Sequence, residues 1–248
     1  MIKSPPFFSI IIAVYNNANG LKSTIESVIN QNFTDFELII IDGGSMDGTQ
    51  EVINQYSHHL SYWVSEKDDG IYNAWNKAIR QAKGQWISFI GSDDKFHYDA
   101  LSNYYKYINA NNKVEYVSSR VNLARKGLVF RTIGLPWSWP KFLHYMTVAH
   151  VGSMHHKNLF VKYGLFDESY KITADYEFLL RARNTLLAGF LNTITADMEV
   201  GGVSNASGKA FEESYRAKTQ TGGKKEWLAK LEDWEAKCKY HIRRILNK

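Results

Sequence analysis

The sequence predicts an α/β protein: a single domain on a Rossmann-like, mostly parallel sheet flanked by helices, with a C-terminal helical tail. Three observations predict it. Short β-branched and aromatic runs alternate with segments of helical period from residue 8 to residue 90, and that alternation makes right-handed crossovers between parallel strands. The strand-like runs are apolar almost throughout, as strands covered on both faces are. Hydrophobic residues are 44% of a 248-residue chain, enough for one sizeable core and too many for a disordered chain.

The elements follow in order. FSIIIAVY (Phe8–Tyr15) is the first strand, and Leu21, Thr24, Ile25, Val28 and Ile29 then recur at helical spacing. FELIII (Phe36–Ile41) is the second strand, ended by DGGSMDGT, with Val52, Ile53 and Tyr56 on one face of the next helix. Leu60–Glu66 is a weaker third strand, Gly70–Ala82 a helix that stops at Gly84, and QWISFI (Gln85–Ile90) the fourth strand. Beyond residue 100, VEYVSSRVNL and GLVFRTIG read as antiparallel strands and LPWSWPKFLHY as an aromatic loop. KNLFVKYGLFDESYKITADYEFLLRA combines a short helix, a turn at Gly164 and a helix beginning near Asp175. The boundary with the tail is expected in GGVSNASG, Gly201–Gly208.

Charge and composition exclude several classes. The net charge of +5 lies wholly in Ser204–Lys248, with 11 Lys and Arg against 6 Asp and Glu; residues 1–203 are neutral. The body therefore offers no basic nucleic-acid surface. No apolar run has the roughly 18 residues of a membrane span. The N-terminus has one lysine, then two prolines and no small-residue cleavage site, so no secretory signal is expected and a cytoplasmic location is. The single cysteine, Cys238, excludes an internal disulfide framework.

Ligands of open α/β sheets bind outside the carboxyl ends of the strands. Tyr15-Asn16-Asn17, Asp42, Asp68-Asp69 and Asp93-Asp94 follow strands one to four, and all lie on that rim. Adjacent carboxylates such as Asp93 and Asp94 repel each other unless solvated or bridged by a cation, and Mg²⁺ or Mn²⁺ is bound by one or two carboxylates plus a ligand's phosphates. No His/Cys cluster has zinc spacing; His155 and His156, adjacent in a strand, point to opposite faces and read as structural. Asp42, ending strand two, sits where a ribose or base is met; capping the following turn is the alternative. Neither G-x-G-x-x-G nor G-x-x-x-x-G-K-[ST] occurs, so a diphosphate would be neutralised by the metal.

The stretches FSIIIAVYNN, ELIIIDGGSMDGT, SEKDDGIYNAWNKAI, GQWISFIGSDD, AHVGSMHHKNLFVKYGLFDESYKITADYEFLLR and GGVS together resemble family 2 glycosyltransferases of the GT-A fold, in family order over residues 8–204. The resemblance implies an inverting transfer of a sugar from a nucleotide diphosphate, commonly a uridine one, to a hydroxyl of a glycan or lipid-linked acceptor, as in bacterial surface polysaccharide biosynthesis. It implies a nucleotide-sugar half (1–97) and an acceptor and base half (98–204). Ala13, Tyr15 and Asn17 would line the nucleotide pocket, Asp42 would meet base or ribose, and Asp68 would close that pocket. Asp93 and Asp94 match the acids for ribose and divalent metal (Mn²⁺ or Mg²⁺), and Asp175 falls at the catalytic base. His150 would contact acceptor or diphosphate, and Arg181 would face the diphosphate. The chain departs from the pattern at Gly91 and Ala174, where the family often has acids, and at Val151, where it often has Gln.

These roles have competitors. Asp175 could be the N-cap of its helix, and Glu177 is the rival base. Trp137, Trp139, Phe142 and Tyr145 could stack on sugar rings or fill the core. A sugar-phosphate nucleotidyltransferase would show a Gly- and Arg-rich loop where this chain has AVYNN, and a D-x-D-G-T phosphatase would place its acid nearer the strand than Asp47 is. A binding protein without catalysis would not need Asp175. In the tail (205–248), Trp227, Leu228, Leu231, Trp234, Cys238, Ile242 and Ile245 lie near helical spacing among lysines and arginines. Such a basic amphipathic helix suits an anionic membrane surface, or packs on the body or a second subunit.

Overall fold

The computed structural model describes residues 4–201 and 207–246. Its centre is a nine-stranded mixed sheet: β1 (Phe8–Val14), β2 (Phe36–Asp42), β3 (Tyr62–Ser65), β4 (Trp86–Gly91), β5 (Lys95–Phe96), β6 (Tyr116–Arg125), β7 (Leu128–Ile133), β8 (Ser153–His156) and β9 (Ala188–Glu199). The order is β3-β2-β1-β4-β8-β6-β9-β5, with β7 paired to β6. The four predicted strands form the parallel half. β8 lies antiparallel to both β4 and β6 and joins the halves, while β6 and β9 run parallel.

Helices α1 (Ala18–Ile29), α2 (Thr49–Gln55), α3 (Ile71–Gln81), α4 (Ala100–Ala110), α5 (Trp139–His144), α6 (Asn158–Tyr163) and α7 (Ala174–Ala182) cover the sheet. The unbroken apolar strands explain how. Ile11, Ile39, Ile41 and Phe89 pack on one face with Tyr72, Trp75 and Ala78 of α3 and Phe178 and Leu179 of α7. Ile10, Ile12, Leu38, Ile40 and Ile90 pack on the other with Leu21, Ile25 and Val28 of α1 and Leu101 and Tyr104 of α4. Each fully buried isoleucine contributes about 1.5–3 kcal/mol of transfer free energy.

The aromatic loop differs from expectation. Only its first part is irregular; α5 follows, with Pro140 in its first turn, where the missing N–H and fixed φ suit a helix. Its rings are core: Phe142 is fully buried, 4.4 Å from the Trp137 ring and 5.0 Å from Tyr176. Trp139 packs against the same cluster, and Tyr145 alone of the four is exposed.

The C-terminal segment forms α8 (Ser207–Arg216), a π-helical turn (Ala217–Thr221) and α9 (Glu226–Leu246). Residues 202–206, where the boundary and most of GGVS were expected, and the side chains of Ile242 and Ile245 lie outside the described residues. Between Arg216 and Glu232 the chain packs back on the body. Arg216 pairs with Asp167 and lies 4.0 Å over the Tyr170 ring, Thr221 donates to Glu177, and Glu232 takes Lys218, Lys224 and His144. No helix among the described residues is long and apolar enough to cross a membrane.

Candidate functional site

The register levels the strand ends. Val14 lies opposite Asp42, Ala13 opposite Gly91 and Asp42 opposite Ser65, so the four loops beyond them leave one edge at strand spacings of about 4.8 Å. Ala13, half-buried, forms the floor between Ile41 and Gly91.

Asp42 is fully buried and its carboxylate is occupied: it accepts from the Ser45 N–H and hydroxyl and from Ser65 Oγ at 2.5 Å. It organises the loop it ends, so capping the turn is the role it performs. The surface of that loop is Gly43. A Cβ there would lie 2.8 Å from Asp68 Oδ2 and 3.3 Å from the Tyr15 ring, so a carboxylate and an aromatic ring flank bare backbone. Tyr15 is 67% exposed. It is set in place by Asn16, in the left-handed region at φ 49°, whose amide oxygen accepts from Met46 N at 3.0 Å. Asn17, half-buried, caps α1 through Gly20 N and donates to Ser92 Oγ at 3.0 Å, joining the loops after β1 and β4.

The two carboxylates after β4 part company. Asp94 turns inward, accepting from Gly91 N at 3.1 Å and from Glu199 N, at the end of β9, at 2.9 Å. Gly91 makes this possible, since a Cβ there would stand 2.6 Å from Asp94 Oδ2. Burial, then the charge of Asp93, pushes the Asp94 carboxyl up to about 7. Asp93 is half-buried, and burial and Glu199 raise it too. Among the described residues no three His, Cys, Asp or Glu side chains form a ready-made metal cage. The residues fit instead a cation held by few protein ligands and completed by phosphate oxygens. Asp93 supplies the open carboxylate, Asp94 stands behind it, and like charges drawn together from Asp93, Asp94 and Glu199 would be relieved by a cation.

Asp175 lies in the first turn of α7; Thr173, not Asp175, is the N-cap. Its Oδ1 accepts from Tyr176 N at 2.9 Å and from the Tyr72 hydroxyl at 3.1 Å. Its Oδ2 faces His150 Nδ1 at 3.9 Å, too far for a direct hydrogen bond and suited to a bridging polar group. Burial raises the carboxyl to about 6. His150 is stacked between Trp75 and Phe89, ring centroids 4.8 and 5.2 Å away. Among the described residues both its nitrogens and the Trp75 indole N–H are buried without partners, and burial pushes its pKa down to about 3, so the ring is neutral. Buried polar atoms with no partner beside a buried carboxylate make this a candidate place for a polar ligand.

One helix joins the two regions. Asp68 Oδ1 accepts from Gly70 N at 2.9 Å just before α3, and Tyr72, in the first turn of that helix, reaches Asp175. Asp68 and Asp175 are thus joined through α3, while Asp93 and Asp94 follow β4, whose end is level with those of β1 and β2.

Arg181 does not reach it. Its guanidinium donates to Glu177, to Tyr163 O at 2.8 Å and to Leu165 O at 2.7 Å, so its donors are spent on holding α7 to the preceding loop. The same pairing, with Thr221 Oγ1 at 2.8 Å, occupies Glu177 and removes it as rival base. His155 is fully buried and His156 half-exposed, on opposite faces of β8.

Three residues carry the site without standing out in the sequence. Tyr72 sits inside the GIY stretch, and only its pairing with Asp175 marks it. Glu199 ties Asp94. Glu213 of α8, almost fully buried, accepts from the backbone N–H groups of Lys171, Ile172 and Thr173 at 2.9, 2.8 and 3.0 Å. The Tyr72 hydroxyl shares its single proton between Asp175 Oδ1 and Ile172 O, the latter 2.7 Å away, so the strap leading into Asp175 is gripped from both sides.

The chain is similar to known glycosyltransferases. The family model described as Glycosyl transferase family 2 matches residues 9–155. A PGL/p-HBAD biosynthesis glycosyltransferase of Mycobacterium tuberculosis (strain ATCC 25177 / H37Ra) is 28% identical over 211 residues, covering 81% of this chain and 80% of its own length. An uncharacterized glycosyltransferase of Mycobacterium tuberculosis (strain ATCC 25618 / H37Rv) is 30% identical over 206 residues, 82% of this chain and 78% of its own. The fold is shared with S. aureus TarS 1–349 in complex with UDP-GlcNAc, at TM-score 0.71 and 17% identity over 90% of this chain and 69% of that one. It is shared also with the mannosyltransferase PcManGT from Pyrobaculum calidifontis in complex with GDP-Man and Mn²⁺, at TM-score 0.67 and 17% identity over 90% and 66%. The architecture is thus of the GT-A type.

Proposed function

The chain belongs to glycosyl transferase family 2, and on that premise we propose that it moves a sugar from a nucleotide diphosphate, a uridine one in the first instance, onto an acceptor hydroxyl with inversion. The observation that carries this reading is Asp175: a buried carboxylate, raised toward neutrality, with one oxygen fixed by Tyr72 and the other open opposite His150.

The donor end is read at Tyr15, Gly43 and Asp68. A pyrimidine stacked on Tyr15 over bare backbone would give its ring N–H to Asp68, while Asp42 and Asn17 hold the loops that shape the hollow. Asp93, backed by Asp94, would hold Mn²⁺ or Mg²⁺, which when bound supplies positive charge to the leaving diphosphate. At the other end an acceptor O–H would bridge the 3.9 Å gap, donating to Asp175 Oδ2 and accepting from a His150 ring N–H. As the acceptor oxygen bonds to the anomeric carbon and the bond to the diphosphate breaks, Asp175 takes the proton, near the pKa a base at neutral pH requires. A single displacement of this kind inverts the carbon.

The acceptor is read as a glycan or lipid-linked molecule of bacterial surface polysaccharide synthesis; a relative named for PGL/p-HBAD biosynthesis supports that class. Peripheral attachment at the inner face of the cytoplasmic membrane is read from α9. Trp227, Leu231 and Trp234 line one exposed face, opposite the packed side marked by buried Ala229, with Lys230 exposed beside them.

The test is a screen of nucleotide-sugars for metal-dependent hydrolysis and for transfer, run beside Asp175→Asn. A donor bound by both proteins and turned over by wild type alone supports the reading. A donor turned over equally by both refutes the assignment of Asp175.

A further inference from the structure

Beyond its strap, the acid rim carries a second feature: the β6–β7 hairpin. Leu128, Val129 and Phe130 are 75%, 51% and 56% exposed. Successive strand residues face opposite sides, so three exposed apolar residues in a row mean that neither side of this tip is covered. Among the described residues β7 is also an edge strand, bonded to β6 alone. Exposed edges are normally blunted with charge or proline, whereas this one is apolar where it is most open.

The charges on the hairpin itself have one sign, and the acid nearest its turn, Glu199, is engaged by the backbone N–H groups of Lys126 and Gly127. Arg120, Arg125, Lys126 and Arg131 are all exposed, and the sequence from Arg120 to Leu135 contains no acid. Arg125 lies 5.8 Å from the Phe130 ring centroid, keeping a cation beside the apolar tip. An apolar wedge ringed by cations matches the boundary between acyl chains and anionic headgroups. A protein partner would have to present an acidic, apolar counter-surface, and a second copy would set four cations against four.

The hairpin is tied to the site. Its turn at Lys126 and Gly127 donates to the Glu199 carboxylate, and Glu199 N donates to Asp94 Oδ1 at 2.9 Å. Whatever seats the hairpin therefore seats the rim that holds Asp93 and Asp94. We propose that the β6–β7 hairpin docks on an anionic lipid surface and presents the acid rim to it. For the benefit to a lipid-linked acceptor this rests on the function proposed above; the docking does not.

The experiment is co-sedimentation of the full chain with phosphatidylcholine vesicles, with and without a quarter of phosphatidylglycerol. Wild type is expected to pellet with the anionic vesicles and to stay in solution with the neutral ones. At about fivefold in partition per cation, Arg125→Gln/Arg131→Gln should bind the anionic vesicles about 25-fold less. Leu128→Ser/Phe130→Ser should also weaken binding, and Trp227→Ser/Trp234→Ser serves as comparator for α9. Hairpin variants that pellet like wild type while the α9 variant does not, or wild type that pellets equally with both vesicles, would overturn the docking. A dimer in solution that Leu128→Ser/Phe130→Ser dissociates would give the surface to a second copy instead. Nucleotide-sugar binding and turnover measured without vesicles separate the two readings: a wild type that binds and turns over no donor refutes the proposed function and leaves the docking result standing.

Discussion

The Tyr72 hydroxyl lies 3.1 Å from Asp175 Oδ1, a bond between the first helix turn after β3 and the first turn of α7. It joins residues about a hundred positions apart and fixes one oxygen of the carboxylate, leaving the other open.

That bond sets a direction for pH. Burial raises Asp175 to about 6 while the Tyr72 hydroxyl pulls it down. The base works ionised, so kcat/KM should rise with pH through about 6. Tyr72→Phe should shift that limb upward by about one pH unit, as one hydrogen bond to the charged form is lost. Asp175→Asn should lower kcat about 100- to 10,000-fold with nucleotide binding retained. A pH–rate profile of the three proteins checks both.

Glu213 should act with the opposite sign. Its charge raises Asp175, so Glu213→Gln should move the acidic limb downward. Glu213→Ala, leaving three backbone N–H groups without their acceptor, should cost about 1–3 kcal/mol in denaturant unfolding. Full activity with an unmoved limb would leave Glu213 a packing residue only.

At the metal end, folding raises Asp94 to about 7 from 3.8. The folded state therefore binds more protons across that window, and stability falls as pH rises through it. A cation opposes this, so Mn²⁺ should raise Tm more at about pH 8 than at about pH 5. EDTA should stop turnover, Mn²⁺ or Mg²⁺ should restore it, and Asp93→Ala should remove the Tm response. Calorimetry with and without Mn²⁺ decides.

Arg181 should prove a residue of stability. Arg181→Met strands buried Glu177 and should lower stability by about 3–5 kcal/mol, with the donor KM unchanged below the melting range. A raised donor KM would return Arg181 to the diphosphate.

The strand ends are legible in the sequence because their signal is local: an acid or an aromatic residue lies at or just beyond the end of each strand, as Tyr15, Asp42, Asp68 and Asp93 do. The division of labour between Asp93 and Asp94 is not, since adjacent carboxylates look alike until the Glu199 backbone, from the far end of β9, bonds one of them. Arg181 misleads as a diphosphate ligand, although its i,i+4 spacing to Glu177 is a helix-pair signature. α5 is hidden by Pro140, which breaks helices everywhere but in their first turn. Glu213 leaves no trace in the sequence around it, because its three partners lie about forty residues away.

That distance also has a meaning in time. As the ribosome extends the chain, the residues up to Glu199 can form the whole sheet while the strap before Asp175 still lacks its acceptor. Only when residue 213 has emerged can α8 close on Lys171, Ile172 and Thr173. The nascent protein would then complete its sheet early and fix the strap before Asp175 late.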